Sequence, residues 1–84
     1  MERKYIKAFN ALKKMGVPVY EHSDDNGNFS IDAEHPDGFK WADYYADHRI
    51  WNGENTNPAM DAALRKCGLY AEWHNPGRLA VYQA

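Results

Sequence analysis

The chain has 84 residues, a formal net charge of −2 and one cysteine. A chain of this length has room for one hydrophobic core, so we predict a single small globular domain over residues 1–84. One cysteine cannot form an internal disulfide, and the first residues lack the apolar run of a secretory signal. These features exclude a disulfide-stapled secreted scaffold, and we expect a cytoplasmic protein.

The charges are distributed unevenly along the chain. The first sixteen residues contain five basic residues and one acidic residue, whereas residues 21 to 54 contain nine acidic residues and two basic ones. Such an asymmetry is typical of a protein that offers an electrostatic surface to a partner. The alternative is that the two regions neutralise one another in the fold, and the sequence favours neither.

The first half of the chain predicts one helix and two strands. Residues 2 to 15 carry apolar side chains at helical spacing, and Pro18 prevents the helix from continuing. Residues 17 to 22 favour a short strand. Because Pro18 has no backbone N–H to donate, we expect this strand to lie at the edge of the sheet or to begin at the proline. An Asn-Gly pair then indicates a turn, and residues 29 to 34 alternate apolar and polar side chains like a half-buried strand.

Residues 39 to 45 are compatible with two secondary structures. A strand places Trp41 and Tyr45 on one face and Tyr44 on the other, whereas a helix places all three on one side. The density of aromatic residues and the turn that precedes them favour a strand, which we predict.

Residues 47 to 56 predict a loop with an apolar pair inside it, Ile50 and Trp51. Two interpretations of the tryptophan remain open. It closes the edge of the core beneath the loop, or it stays exposed as an anchor for a partner.

The last third of the chain predicts a helix that leads directly into a β-hairpin. Asn57 and Pro58 are residues that favour the start of a helix, and Gly68 favours its left-handed end. Residues 69 to 74 then alternate apolar and polar side chains, and residues 79 to 82 predict the final strand.

The hairpin can pair in two registers. A two-residue Pro-Gly turn pairs Trp73 with Ala80, which places apolar residues beside charged ones. A turn of three or five residues pairs Trp73 with Leu79 and Ala71 with Val81, which collects the apolar side chains on one face. We predict the second register.

The predicted order of elements is α-β-β-β-α-β-β. This order predicts an α+β fold in which two helices pack on one face of an antiparallel sheet, giving two layers. The second face of the sheet then faces water or a partner.

The sequence shows no recognised pattern for catalysis or metal binding. The four histidines are scattered, and a calcium loop over residues 22 to 33 would have His22 as its first ligand and Ala33 at its twelfth position. Glycine-rich phosphate loops, nucleophile elbows and paired cysteines are missing from the sequence. We therefore predict a protein that is not an enzyme and has no cofactor and no metal.

One surface is a candidate for binding. If the apolar residues of the final hairpin face the core, its other face presents tyrosine, arginine and histidine, which binding surfaces favour. Aromatic side chains from residues 39 to 45 would extend that surface. The alternative is a solvated sheet face with two tyrosines paired across strands. The predicted partner-binding residues are Tyr70, Glu72, His74, Arg78, Tyr82, Asp43, Tyr44 and Trp51.

Two functions from different classes fit this sequence. The first is a small acidic protein without catalytic activity that binds another protein with a basic surface, as an inhibitor or adaptor. The size and acidity resemble those of accessory proteins of phages and plasmids, which implies an inhibitor that blocks a nucleic-acid-binding site on a host defence protein. The second is a nucleic-acid-binding module that uses the basic first helix and aromatic side chains of the sheet. The overall acidity favours the first, and we expect no membrane partner.

Overall fold

The computed structural model describes residues 2–21, 29–45 and 55–84. It contains two α-helices, a short 3-10 helix and a four-stranded sheet, so the predicted α+β class is confirmed. The loop prediction for residues 47 to 56, and with it both interpretations of Trp51, falls largely outside the described residues. In chain order the elements are α1 (Arg3–Met15), β1 (Val19–Glu21), β2 (Phe29–Asp32), the 3-10 helix (Gly38–Lys40), α2 (Pro58–Lys66), β3 (Leu69–Asn75) and β4 (Arg78–Gln83).

The start of α2 and the ends of both helices lie at the residues that the sequence indicates. Gly16 follows α1 with a φ of 97°, and its N–H donates to carbonyl oxygens of the last turn. The Asn57 side chain accepts a hydrogen bond of 2.9 Å from the N–H of Ala59, and Pro58 occupies the first turn of α2. Gly68 then takes a φ of 73°, which turns the chain from α2 into β3.

The sheet is antiparallel with the strand order β1-β2-β4-β3. β4 therefore lies in the middle, between β2 and β3, although β3 precedes it in the chain. β1 occupies one edge, as the proline before it predicts, and β3 occupies the other.

The hairpin between β3 and β4 has the predicted register but not the predicted turn. Trp73 pairs with Leu79 and Ala71 pairs with Val81, which confirms the register. However, Asn75 pairs with Arg78, so the turn has two residues, and a shift in register follows between Trp73 and Asn75. A β-bulge thus supplies the extra residue that we expected in the turn.

The strand predicted over residues 39 to 45 is wrong, because the chain forms the 3-10 helix and turns there instead. Gly38 is the physical reason. A side chain at this position would collide with backbone atoms of Asp32 and Ala33, so the chain folds tightly back after β2. The Gly38 carbonyl oxygen then accepts hydrogen bonds of 2.9 Å from the N–H groups of Trp41 and Ala42.

Both helices pack on one face of the sheet, as predicted, and we call this the inner face. Directly paired residues share a face, and the strand residues of the hydrophobic core cluster all belong to the inner set. The core residues from α1 and α2 are Tyr5, Ala8, Leu12, Met60 and Leu64, and those from the strands are Phe29, Ile31, Leu69, Leu79 and Val81.

Within residues 2–21, 29–45 and 55–84, neither helix combines the length and the apolar character that spanning a membrane requires.

Candidate binding surface

The opposite face of the sheet, which we call the outer face, is turned away from both helices. Strand pairing places Tyr20, Ser30, Ala80 and Glu72 in one row across the four strands. A neighbouring row holds Tyr70 and Tyr82, and the row on the other side holds Asp32 and Arg78, with Asn75 beside the turn. We use the name outer face for the eight residues other than Asn75, which follows the bulge.

The floor of the outer face is made of small residues. Ser30 is 1% exposed and Ala80 is 3% exposed, yet neither belongs to the cluster of core side chains that pack together with the helices. The helices lie on the other side of the sheet. On the outer face, Arg78 contacts this floor, since its Nε donates a hydrogen bond of 3.1 Å to the Ser30 hydroxyl.

The two tyrosines of the β3–β4 hairpin contact one another. The ring centroids of Tyr70 and Tyr82 lie 5.9 Å apart with an angle of 38° between the planes. This is the cross-strand tyrosine pair that the sequence allows. Tyr70 remains 43% exposed and Tyr20, at the far edge of the same face, 36% exposed. The outer face therefore offers amphipathic rings at two places, joined by a shielded floor.

The charges divide between the two layers of the molecule. The outer face carries two carboxylates, Asp32 and Glu72, and one guanidinium, Arg78. The helix layer carries most of the cations. One cleft between the helices is lined by Arg3, Lys4 and Lys7 of α1 together with Lys66 and Cys67 near the end of α2. The basic first helix thus lies on the side of the sheet away from Tyr20, Tyr70 and Tyr82.

The structure brings four of the predicted binding residues together on the outer face. These are Tyr70, Glu72, Arg78 and Tyr82. His74 lies at the bulge at the end of β3, where it is exposed and has no partner in the register of the hairpin. It therefore stands at the margin of the outer face, outside its regular rows.

Asp43 and Tyr44 lie elsewhere, because the strand that would have extended the surface is not formed. The Tyr44 ring packs edge-on against Trp73, with centroids 5.3 Å apart and planes at 88°. Trp73 belongs to the inner face, so Tyr44 lies beside the edge strand β3 on the inner side of the sheet. Asp43 accepts a hydrogen bond of 3.0 Å from the N–H of Tyr45 and thus stabilises a local turn. Trp51 is outside the described residues.

Sequence reasoning missed four members of the outer face, which are Tyr20, Ser30, Asp32 and Ala80. The alternation in residues 29 to 34 did contain the signal for Ser30 and Asp32, because it separates them from Phe29 and Ile31. What the sequence did not show is that β2 pairs with β4, which joins these residues to the tyrosines of the hairpin.

Within the described residues, no three histidine, cysteine or acidic side chains come close enough to one another to hold a metal ion. Comparison with known proteins does not identify a family either: no family model, no curated protein and no solved structure matches this chain.

Proposed function

We propose that this protein binds another protein through the outer face of its sheet and acts without catalysis, as an inhibitor or adaptor does. One observation carries the proposal. Neither described helix packs on the outer face, and this face presents Tyr20, Tyr70 and Tyr82 around a buried floor.

Tyrosine suits this role because it adds a large contact area at a small cost in conformational entropy. Its ring is apolar and its hydroxyl can hydrogen-bond, so it is stable both in water and in an interface. Arg78 is already held by its hydrogen bond to Ser30 and lies opposite Asp32. Its side chain has therefore lost part of its conformational entropy before a partner binds, and binding costs less. These side chains supply the kind of anchors that dominate binding energy in protein interfaces.

The partner that fits this face has a basic surface. Glu72 is exposed between the tyrosines and makes no ion pair with another described residue. A cation of the partner would pair with it, while the tyrosines would cover the stems of lysine or arginine. A basic site that normally holds nucleic acid has this chemistry, which supports the more specific role of an inhibitor of a nucleic-acid-binding protein.

The nucleic-acid-binding alternative loses support from the arrangement of the two layers. It requires lysines and aromatic rings to contact the same strand. The lysines of α1 lie on the helix layer, whereas Tyr20, Tyr70 and Tyr82 lie on the opposite side of the sheet. A nucleic acid would therefore use the cleft of Arg3, Lys4, Lys7 and Lys66 without base stacking on these tyrosines.

The experiment compares three baits in affinity capture from cells that contain the natural partner, followed by mass spectrometry. The baits are the unchanged protein, the double variant Tyr70→Ala/Tyr82→Ala, and the charge control Lys4→Gln/Lys7→Gln/Lys66→Gln. Circular dichroism melts establish that all three are folded.

We expect one stoichiometric protein with the unchanged chain and with the lysine control, and its loss from the tyrosine variant. The opposite pattern contradicts the proposal. If the lysine control loses a nuclease-sensitive nucleic acid while the tyrosine variant keeps it, the protein is a nucleic-acid-binding module.

A further inference from the structure

The free edge of β3 has backbone groups that point away from the sheet. The Ala84 N–H donates a hydrogen bond of 2.9 Å to the Gly68 carbonyl oxygen, in the same register that pairs Leu69 with Gln83. In an antiparallel ladder the bonded pairs alternate, so Tyr70 and Glu72 also bond to β4. The N–H and carbonyl groups of Leu69, Ala71 and Trp73 then point outwards.

Bonds on the other side of β4 agree with this alternation. The Ala33 N–H donates a hydrogen bond of 3.1 Å to the Gly77 carbonyl oxygen. Odd-numbered residues of β4 therefore bond to β2, and even-numbered residues bond to β3. Within the described part of the chain, no backbone hydrogen bond occupies the outward N–H of Ala71 or of Trp73.

The edge at β1 differs in each of these respects. β1 has three residues, and Pro18 before it has no N–H to offer. The outward N–H of Val19 donates a hydrogen bond of 2.9 Å to the Val17 carbonyl oxygen, so it is already satisfied. β3 has seven residues and contains neither proline nor lysine, the usual protections of an edge strand.

Two cavities lie against the β3 edge, on the side that faces α2. The first has a volume of about 400 Å³ and is lined by Leu64, Arg65 and Leu69 among others. Its lining also includes Tyr70 and Asp61, whose carboxylate accepts a hydrogen bond from the Thr56 hydroxyl. The second has a volume of about 470 Å³ and is lined by Tyr44 and Trp73 among others. Both include Thr56 and Ala71, so the cavities are neighbours along the strand.

The spacing of the cavities matches the repeat of an extended chain. One cavity lies beside Leu69 and Ala71, and the next lies beside Ala71 and Trp73. Side chains on one face of a strand recur every second residue, roughly 7 Å apart. A strand added at this edge would therefore direct alternate side chains into the two cavities.

We propose that an extended peptide segment of another protein adds to β3 as a fifth strand of the sheet. Its backbone bonds to the outward groups of Ala71 and Trp73, and its side chains give specificity. One side chain is a carboxylate that pairs with Arg65, which is exposed and has no ion pair with a described residue. The side chain two residues away is apolar and packs against Tyr44 and Trp73. Of the outer-face tyrosines of the hairpin, Tyr70 lines the first cavity and Tyr82 lines neither.

The test is selection from a phage-displayed library of random heptapeptides flanked by serine and glycine. We expect the selected peptides to combine an acidic residue with an apolar residue two positions away. The variant Ala71→Pro should bind them at least about tenfold more weakly, because proline removes an outward N–H without removing a bond to β4. The variant Tyr82→Ala is the matched control. It alters the outer face but none of the residues that line the two cavities, so it should bind them unchanged, which separates this proposal from the function of the outer face.

A second measurement uses the unchanged sequence, so it does not depend on the folding of a variant. In amide hydrogen exchange, selected peptides should slow the exchange of Ala71 and Trp73 by at least about tenfold, and the Tyr70 and Glu72 amides should already be slow without peptide. Arg65→Glu should weaken the acidic peptides by a similar factor.

Three results would overturn the proposal. The library yields no peptides with this alternation, or the selected peptides leave the exchange of Ala71 and Trp73 unchanged. The third is concentration-dependent protection of the same two amides in the protein alone, together with dimer formation in light scattering. That result would assign the edge to a second copy of this chain.

Discussion

The two faces of the sheet are built from the same strands, and both have buried residues at their centre. Ile31 on the inner face is 0% exposed and Ser30 on the outer face is 1% exposed. The inner face is covered by α1 and α2, whereas on the outer face Arg78 contacts Ser30 through a hydrogen bond. Burial alone therefore does not identify a core. On the outer face it marks the small residues Ser30 and Ala80, which lie between larger side chains of the same face.

Leu79→Ala tests the inner face and should have the largest effect. Leu79 is fully buried in the middle strand, where its loss leaves a cavity between the sheet and the helices. We expect the free energy of unfolding to fall by about 2–5 kcal/mol, measured by urea denaturation. Leu79→Met is the control of similar volume and should lose less than about 1.5 kcal/mol. An equal loss in both variants would contradict the cavity explanation.

Trp73→Ala tests the margin of the inner face. The tryptophan packs against the core and against the Tyr44 ring, but it is half-buried at the edge strand. The sequence alone predicts a loss of about 3–5 kcal/mol, as for a buried aromatic residue. The observed exposure reduces our expectation to about 2 kcal/mol in the same denaturation experiment. A loss as large as that of Leu79→Ala would show that the edge is more tightly packed than this geometry indicates.

Ser30→Ala tests the floor of the outer face. It removes the hydroxyl that accepts the hydrogen bond from Arg78 but leaves the small volume of the floor unchanged. We expect a loss of about 1 kcal/mol in stability, the usual contribution of one hydrogen bond. In addition, the Arg78 side chain should become more mobile, which NMR relaxation of its Nε detects. If neither stability nor mobility changes, Arg78 is fixed by its other neighbours.

A double-mutant cycle on Tyr70 and Tyr82 should give the smallest change in stability. Each single alanine variant should cost less than about 1 kcal/mol, with a coupling of about 0.5 kcal/mol from the ring contact. Binding of the captured partner should fall at least about tenfold in either variant. If these variants unfold the protein as strongly as Leu79→Ala, the outer face is a second core and the contrast between the faces fails.

The parts of the fold that sequence reasoning predicted are the ones set by neighbouring residues. The end of α1 at Gly16, the start of α2 at Asn57 and the register of the last hairpin depend on short-range signals. Residues 39 to 45 were assigned wrongly, because the contact that decides their path is between Gly38 and the backbone of Asp32, and close approach of that kind is not visible in a pattern of aromatic residues.

The same distinction explains the candidate site. Tyr70, Glu72, Arg78 and Tyr82 were predicted together because one hairpin carries all four. Tyr20 and Ser30 were missed because they join the outer face only through the pairing of β2 with β4, which are separated by more than forty residues of chain. Periodicity gives the face to which a side chain belongs, but not the strand that lies next to it.

The bulge at His74 gives the hairpin one position at which it can lose a residue without exchanging its faces. Removal of any residue within the regular ladder shifts the rest of that strand by one and turns its inner side chains outwards. Removal of His74 leaves Asn75 opposite Arg78 and Trp73 opposite Leu79, the pairs that already exist. A chain shortened at this point therefore keeps both its hydrophobic core and its outer face.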